Sequence, residues 1–476
     1  MKRLFKILPI IAFLIGTIVS MPVWADDTAS IEQRLSDLEQ QVAILKRQLE
    51  NNKEDAKAQA STTPIITANS KDGFSIKSPD NSYSLKIGGY TQVVAREFAT
   101  NGNNQGFGSS IIPRRVRLQI QGTVARDFDY YIQPEFGYSN TYSSITATAP
   151  SAYGVALQDA WVDWKYFPQA TIKAGKFKTP FDLENLQDTR YTAFTELGLT
   201  GNLSPQRDVG VQLSGSLFDD IVNYAGGLFD GAADHENSYG GFATAPGDTN
   251  EKGGTGRIFI KPFKNTNIEP LKGFGIGYAA SYGKEKGGDI PSYITPGQAP
   301  IFTYNSNVTA VGPQIRTSPQ AYYYYKSLGI LAEKVNSQEE LEYTSGTHLY
   351  RDKPTNRAWE VTGSYVLTGE DASYNGVTPR HDFDLSSGHW GAFELVSRYG
   401  ELKLDGSIFS ENFANLNTSI SKENSWAAGI NWYLNHNVKL AADFEQTKFR
   451  RGAPNGASTD DRKTENLFTG LAQLSF

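Results

Sequence analysis

Two arginines, Arg115 and Arg117, alternate along the chain with the apolar residues Val116 and Leu118. In an extended strand this spacing places both guanidinium groups on one face and the apolar side chains on the other. A guanidinium is planar and always charged, and it can donate two parallel hydrogen bonds to an oxyanion such as phosphate. If such strands enclose a narrow column of water, their basic faces predict a path for anions.

The same reasoning selects further basic residues. Alternation places Lys173 and Arg398 on the polar faces of their strands, and the remaining candidates lie at the root, inside or at the exit of a long loop. The predicted anion-path residues are Arg115, Arg117, Lys173, Lys178, Arg190, Arg207 and Arg398. The alternative for each is an ordinary charge paired with a neighbouring carboxylate. The carboxylates on polar strand faces are Glu135, Asp159, Asp163, Glu394, Asp443 and Glu445. Opposed rows of charge would give a channel of weak ion selectivity.

Catalytic chemistry finds little support in the chain. Its five histidines fall in or beside turns and loops, and none lies in a nucleophile or metal-binding motif: His235, His348, His381, His389 and His436. The glycines at 273, 275 and 277 resemble a nucleotide-binding pattern, but no helix follows them, so we interpret them as the small face of a strand. The sequence predicts no enzyme, no cofactor and no metal site.

The elements that would position these charges are short alternating strands. The chain ends on Phe476, which closes the apolar series Phe468, Gly470, Ala472 and Leu474. This pattern is typical of the last strand of a bacterial outer-membrane β-barrel. We predict sixteen antiparallel strands between residues 83 and 476, an even number that brings both barrel termini to the periplasmic side.

Several details of this strand assignment can be tested. Pro134 within the third strand requires a β-bulge, and the strand predicted over 390–405 requires a bulge at Gly400. The tenth strand is predicted over 320–326. The long loops at 179–206 and 285–319, and the long periplasmic turn at 369–389, are candidates to fold into the lumen.

The N-terminal residues predict export. A basic start, a short apolar stretch from residue 7 to residue 19 and small residues suited to cleavage after Ala25 indicate a signal peptide over 1–25. The chain has no cysteine. Its formal net charge of −6 argues against a nucleic-acid partner. Its mean hydropathy of −0.43 is compatible with a barrel, because only one face of each strand has to be apolar.

A heptad pattern follows the predicted cleavage site. Its apolar positions are Ile31, Leu35, Leu38, Val42, Leu45 and Leu49, and neither glycine nor proline occurs in 26–63. We predict a periplasmic coiled coil over 26–60, a linker over 61–72 and the barrel over 73–476. A single helix of this length is marginal in water, so a parallel oligomer is favoured. The alternatives are a helix folded back on its own domain and a tether that links the barrel to the cell envelope.

Several stretches resemble the phosphate-selective porin O/P family. They span most of the predicted barrel: 113–118, 127–131, 174–181, 318–325, 365–374 and 429–435. The resemblance implies a sixteen-stranded trimeric channel of the Gram-negative outer membrane that passes small anions such as phosphate or polyphosphate. The implied partners are membrane lipid, two further copies of the chain, and the barrel-assembly machinery that would recognise Phe476. In the predicted third loop, Asp182, Glu184, Asp188 and Glu196 outnumber Arg190, so a general porin for small nutrients is the alternative function.

Overall fold

The computed structural model describes residues 28–69, 73–99, 109–137, 155–167, 169–235, 251–287, 290–453 and 460–476. The predicted signal peptide lies outside these residues. The chain divides into two compact units, residues 1–63 and 64–476. Among the described residues, no helix is both long and apolar enough to cross a membrane.

The first unit contains helix α1, Thr28–Thr62. Its length agrees with the absence of helix-breaking residues in this part of the chain. The apolar seam at Leu35, Leu38, Val42, Leu45 and Leu49 is exposed along α1. The seam is therefore uncovered in a single chain, while the predicted coiled-coil state stays a prediction.

The second unit is built from strands and short helical segments. In chain order the strands are β1 (Ile65–Asn69), β2 (Gly73–Lys77), β3 (Ser84–Phe98), β4 (Ser110–Val124), β5 (Phe128–Glu135), β6 (Ala156–Phe167), β7 (Ala170–Lys178), β8 (Arg207–Leu217), β9 (Val222–Phe229), β10 (Glu251–Ile260), β11 (Phe274–Lys284), β12 (Tyr293–Ile294), β13 (Pro300–Phe302), β14 (Thr309–Tyr325), β15 (Leu328–Ser345), β16 (His348–Asp352), β17 (Thr355–Val366), β18 (Ala392–Lys403), β19 (Ile420–Tyr433), β20 (Val438–Arg451) and β21 (Glu465–Ser475). The helical segments are α2 (Leu183–Leu186), α3 (Ser407–Ser410) and two 3-10 turns, Leu199–Leu203 and Glu269–Leu271.

Within the described residues, sixteen of these strands form a closed antiparallel barrel, as predicted. Each strand pairs with the next, and β21 returns to β3 with Leu467 opposite Phe98 and Ser475 opposite Tyr90. Phe476 and Gly89 complete the closure by exchanging two backbone hydrogen bonds of 3.0 Å. We call the rim where β3 begins and β21 ends the terminal rim, and the opposite one the loop rim.

Alternation separates the two faces of the wall. On β19, Trp426 and Ile430 are exposed on the outside, whereas Ala427 and Asn431 are 2% and 1% exposed on the inside. An outer belt of aromatic side chains crosses neighbouring strands nearer the loop rim. We name it the upper aromatic belt, and its members are Trp359, Tyr399, Trp426, Phe444 and Phe468. An apolar outer face bordered by aromatic side chains is what a lipid-facing barrel requires.

Three details of the sequence prediction are corrected. Part of the predicted linker forms β1, which pairs with β2, and β2 extends the sheet beside the start of β3. The tenth barrel strand, β14, begins at Thr309 rather than at 320. Two prolines made its first half resemble a loop, but Pro319 projects outwards from the wall and Pro313 lies next to a register shift.

The predicted bulge at Gly400 is also wrong, because β18 pairs with β17 and β19 in regular register through this residue. A Cβ at this position would lie 3.1 Å from the Trp359 carbonyl oxygen and 3.3 Å from the Glu360 Cβ, so glycine relieves crowding against β17. At Pro134 the predicted bulge is confirmed, since the β5–β6 register shifts between Gln133 and Pro134.

Candidate functional site

The barrel interior is the candidate functional site, and loop 3 (residues 179–206) fills much of it. Loop 3 connects β7 to β8, with the bounds that the sequence predicts. Backbone groups of loop 3 bind the wall on several strands: Asn431 donates to the Ala193 carbonyl at 3.1 Å, and Lys439 donates to the Thr192 carbonyl at 2.9 Å. Loop 3 therefore folds into the lumen, as predicted.

Two kinds of wall residue hold loop 3. Basic and amide side chains of β3, β4 and β18 to β21 bind its carbonyl oxygens, as Arg115 does at Thr195 with a distance of 3.0 Å. Glutamates of β15 and β17 bind its amides: Glu333 accepts from Leu183 at 2.9 Å, and Glu360 accepts from Thr200 at 3.4 Å. Lumen charges of both signs thus satisfy loop backbone that would otherwise lose its hydrogen bonds on burial.

Glu196 of loop 3 lies between two arginines of β4. Arg114 donates to its carboxylate at 2.6 and 3.0 Å, and Arg115 donates to it at 2.9 Å. Burial alone would raise the pKa of Glu196, but the two guanidinium groups more than offset this and hold the pKa at about 2. Arg115 is therefore a brace for loop 3 as well as a lumen charge.

The other predicted arginines also have carboxylate partners. Arg117 donates to Glu135 at 2.6 Å, and Arg207 donates to Asp159 at 3.1 Å. Arg190 pairs with Asp188 of its own loop.

Arg398 joins the wall to loop 3, because its guanidinium lies 3.3 Å from Glu184 and 3.6 Å from Glu445. For these arginines and for Arg115, the geometry matches the alternative of an ordinary paired charge.

The two predicted lysines occupy a different environment. Lys173 and Lys178 line a cavity of about 570 Å³ between loop 3 and strands β6 to β10. Lys173 lies over the Trp161 ring at 4.0 Å from its centroid, and Lys178 donates to the Gln187 carbonyl at 2.5 Å. In the described part of the chain, neither ammonium group has a carboxylate oxygen within 4.0 Å.

A third base of this cavity, Arg257, is absent from the predicted set. It binds the Gln320 amide oxygen at 2.8 Å and lies over the Phe259 ring. It also has no carboxylate within 4.0 Å among the described residues. Its alternation with Ile258 was the signal that could have identified it, since Ile258 is exposed on the outer face.

The cavity also carries acidic groups. Asp159 is paired with Arg207, and Asp163 lies opposite Lys173 in the β6–β7 register. Within the part of the chain that the structure describes, three bases without an ion pair thus face one carboxylate that has no base within 4.0 Å. We name Lys173, Lys178 and Arg257 the cavity bases.

Two further segments enclose loop 3. Loop 5 (residues 285–308) packs aromatic residues against it, and Asn202 exchanges hydrogen bonds of 2.9 and 3.0 Å with the Ile294 backbone. The rim turn (residues 367–391) enters from the terminal rim. There the Tyr374 hydroxyl donates to the Leu183 carbonyl at 2.6 Å, and Gln187 donates to the Tyr374 carbonyl at 2.8 Å. Both segments fold inwards, as predicted from their lengths.

The glycine pattern and the histidine that the sequence analysis set aside as non-catalytic have structural roles. Gly275 and Gly277 lie on a strand face where a side chain would collide with the Phe259 ring, which confirms their interpretation as a small face. His235 is half-buried, with Nδ1 3.2 Å from the Gln206 amide nitrogen and 3.3 Å from the Gly201 carbonyl. Over the described ranges, His, Asp and Glu side chains form no group of three placed to hold a metal ion.

Comparison with known proteins agrees with this architecture. The model of the family "Phosphate-selective porin O and P" matches residues 88–476. Porin O of Pseudomonas aeruginosa is 23% identical over 429 residues, which cover 83% of this chain and 90% of that protein.

Among solved structures, the outer membrane channel DcaP of Acinetobacter baumannii superposes with a TM-score of 0.52 at 10% identity, covering 84% of this chain and 99% of DcaP. OmpT of Vibrio cholerae has a TM-score of 0.48 at 11% identity, covering 87% and 100%. Because the family match spans most of the chain, this protein belongs to the phosphate-selective porin O and P family.

Proposed function

We propose that this protein is a diffusion channel that favours small anions, including phosphate, and that the cavity bases guide them past loop 3. Family membership makes the chain an outer-membrane porin. The observation that carries the anion preference is the cavity of about 570 Å³, lined by Lys173, Lys178 and Arg257. Basic groups without paired carboxylates in a confined space concentrate anions, because low-dielectric walls focus their field.

The paired arginines have a supporting role in this proposal. Arg115, Arg117, Arg190, Arg207 and Arg398 hold loop 3 and its surroundings in place. Their charges are largely neutralised by their partners, so they contribute less to ion selectivity than the cavity bases do. Of the predicted anion-path residues, only Lys173 and Lys178 guide permeating anions in this proposal. Arg257, which the sequence analysis missed, is added to them.

Reversal potentials across a salt gradient test the proposal. Replacing the three cavity bases by glutamine should lower the anion-to-cation permeability ratio by about fivefold or more, because about 1 kcal/mol of electrostatic free energy corresponds to that factor. The matched control replaces three bases at the terminal rim, the exposed Lys77 and Arg126 and the half-buried Lys272. An unchanged ratio in the cavity variant would favour the general porin of weak selectivity.

The same proposal includes the assembly of the protein. The exposed seam of α1 supports a parallel coiled coil of three chains, placed in the periplasm after removal of the signal peptide. The exposed C-terminal Phe476 is available to the machinery that inserts barrels into the outer membrane. On this orientation the loop rim faces the cell exterior.

A further inference from the structure

The outer wall near the loop rim carries a row of four basic side chains. Arg357 of β17 lies directly opposite Lys403 of β18, Lys403 lies opposite Lys422 of β19, and Lys422 lies opposite Arg450 of β20. Arg357, Lys403 and Arg450 are exposed, and Lys422 is half-buried. We name these four residues the outer basic row.

Like charges in directly opposed positions of a sheet repel each other. Among the described residues, Lys422 is the one member of the row with a close countercharge, Glu401 at 2.9 Å. Over the described residues, Arg357, Lys403 and Arg450 have no carboxylate oxygen within 4.0 Å. At longer range Glu401 also acts on Lys403, and Asp405 acts on Arg357. The four bases outnumber these two carboxylates, so the row keeps a net positive charge.

Neighbouring strands at the loop rim show a different arrangement. On β15 and β16, Arg351 lies 2.5 Å from Glu342, and the adjacent Lys353 lies 3.2 Å from Glu340. Charges of both signs alternate there, as on an ordinary solvated surface. The outer basic row lacks this pairing, so it differs from the solvated outer wall beside it.

The row lies next to the upper aromatic belt on its loop side. Arg357 is two residues from Trp359, and Lys422 is four residues from Trp426. At about 3.3 Å per residue, Arg357 and Lys422 lie roughly 7 and 13 Å beyond the belt along their strands, and Arg450, six residues from Phe444 on β20, lies roughly 20 Å beyond it. Aromatic belts mark the edge of the hydrocarbon region, so the bases lie at the level of lipid headgroups.

We propose that the outer basic row binds the phosphate groups of an anionic lipid in the leaflet at the loop rim, while its acyl chains lie along the upper aromatic belt. Four strands span about 14 Å in the hydrogen-bonding direction, which is wider than one phosphate and suits a headgroup with two. Arginine and lysine are the side chains that bind such groups at membrane surfaces. The proposal uses the barrel orientation given above and is independent of the channel's ion preference.

Lipid binding to the purified full-length protein in detergent tests this site. The probes are diphosphorylated lipid A and the same lipid with its phosphates removed, and bound lipid is counted by native mass spectrometry. The wild type should bind the phosphorylated form at least about tenfold more tightly, since each base near a lipid surface contributes about 1 kcal/mol. Glutamine at all four positions should abolish this preference.

A matched control replaces four bases of the terminal rim by glutamine: Lys77, Arg126, Lys264 and Lys272. It changes the net charge equally and should keep the preference. The single exposed substitution Lys403→Glu, which leaves the rest of the wall intact, should weaken binding if the fourfold variant does not fold. Retained preference in the row variants, or equal loss in the control, would refute the site.

Two further readouts keep the alternatives apart. Displacement of the lipid by inorganic phosphate at equal concentration would mean that the row binds free anions, and the lipid assignment would be wrong. Reversal potentials of the row variants should equal that of the wild type, because these side chains face away from the lumen. The two proposals can therefore fail separately. An unchanged permeability ratio in the cavity variant would refute the anion path only, and unchanged lipid binding in the row variants would refute the lipid site only.

Discussion

Glu196 connects the wall to loop 3 through the Arg114 and Arg115 side chains. All three side chains are less than one-fifth exposed, so each charge depends on the others for compensation. Breaking a buried ion pair by removing one partner typically costs about 3–5 kcal/mol, because the remaining charge is left buried and unpaired. The two arginines therefore depend on the conformation of loop 3 as much as loop 3 depends on them.

We expect Glu196→Gln to release this part of loop 3. The two guanidinium groups would lose their shared carboxylate, so loop 3 should move from the wall and the single-channel conductance should rise and become noisier. Conductance in planar bilayers measures the effect. Glu97→Gln, which removes a carboxylate exposed on the outer side of β3, is the control and should behave as wild type. Identical currents from both variants would contradict the bracing role.

The pH dependence of the same contact follows from its pKa. The pKa of Glu196 is depressed from an ordinary value of 4.5 to about 2. A carboxylate with a depressed folded pKa stabilises the fold above its unfolded pKa, and this contribution is lost as the pH falls through the folded value. We expect conductance noise from loop 3 to stay constant between pH 7 and pH 5 and to increase towards pH 2. Glu196→Gln should remove this dependence, and a wild-type transition near pH 4.5 would contradict the assignment.

For individual residues, the sequence predicted which side chains face the lumen but not which groups they contact. Alternation placed Arg398 inside, yet its partner Glu184 lies 214 positions away in a loop. Such pairs depend on the path of loop 3, which local patterns do not encode. Arg257 was missed because its strand is rich in glycine, and glycine weakens the apolar alternation that reveals a strand.

Among the elements, the rim turn and loop 3 act on each other across the lumen. Tyr374 reaches the Leu183 carbonyl, and Gly376 adopts a φ of +88° beside the Tyr191 ring, where a Cβ would lie 2.6 Å from a ring carbon. The turn therefore supports loop 3 from the terminal side, while loop 5 packs against it from the loop side. Loop 3 is held at both surfaces, which limits how far it can move without breaking contacts.

We expect Tyr374→Phe to weaken this support without disturbing the barrel. The variant loses one hydrogen bond, worth about 1 kcal/mol, so loop 3 should fluctuate more and the open-channel current noise should increase. Noise spectra at constant voltage measure this. Tyr365→Phe removes a hydroxyl that is exposed on the outer wall and should leave the spectrum unchanged. If the two variants give the same spectrum, the turn does not support loop 3.

Strands were easier to predict than the segments between them. A strand of the wall repeats one pattern over about ten residues, because one face meets lipid and the other meets the lumen. The start of β14 was misplaced because Pro313 and Pro319 suggest a loop, although the barrel tolerates one beside a bulge and the other pointing outwards. The inward folding of loop 3, loop 5 and the rim turn followed from their length alone, whereas their packing required the three-dimensional arrangement.

For the whole molecule, the two compact units raise the question of how copies of the chain associate. The sixteen barrel strands close into a ring, with β21 bound to β3, so within the described residues none of these sixteen is an edge strand that could pair with another chain. Helix α1 exposes an apolar seam in heptad spacing, and two or more helices bury such a seam when they associate. Association of the chains is therefore expected to depend on α1 more than its small share of the chain suggests.

Deleting residues 28–63, with the predicted signal peptide kept, tests this dependence. The barrel should still fold, because its closure involves strands from β3 onwards, and its heat-dependent shift in gel mobility should be unchanged. If the proposed coiled coil joins the chains, the oligomer should dissociate at a lower temperature, since the seam that would hold the copies together has been removed. The substitutions Leu38→Gln and Leu45→Gln should reproduce this loss with the helix length preserved, whereas the exposed substitution Gln41→Ala should not. Oligomers as heat-stable as the wild type in the deletion and seam variants would show that the barrel walls alone hold the copies together.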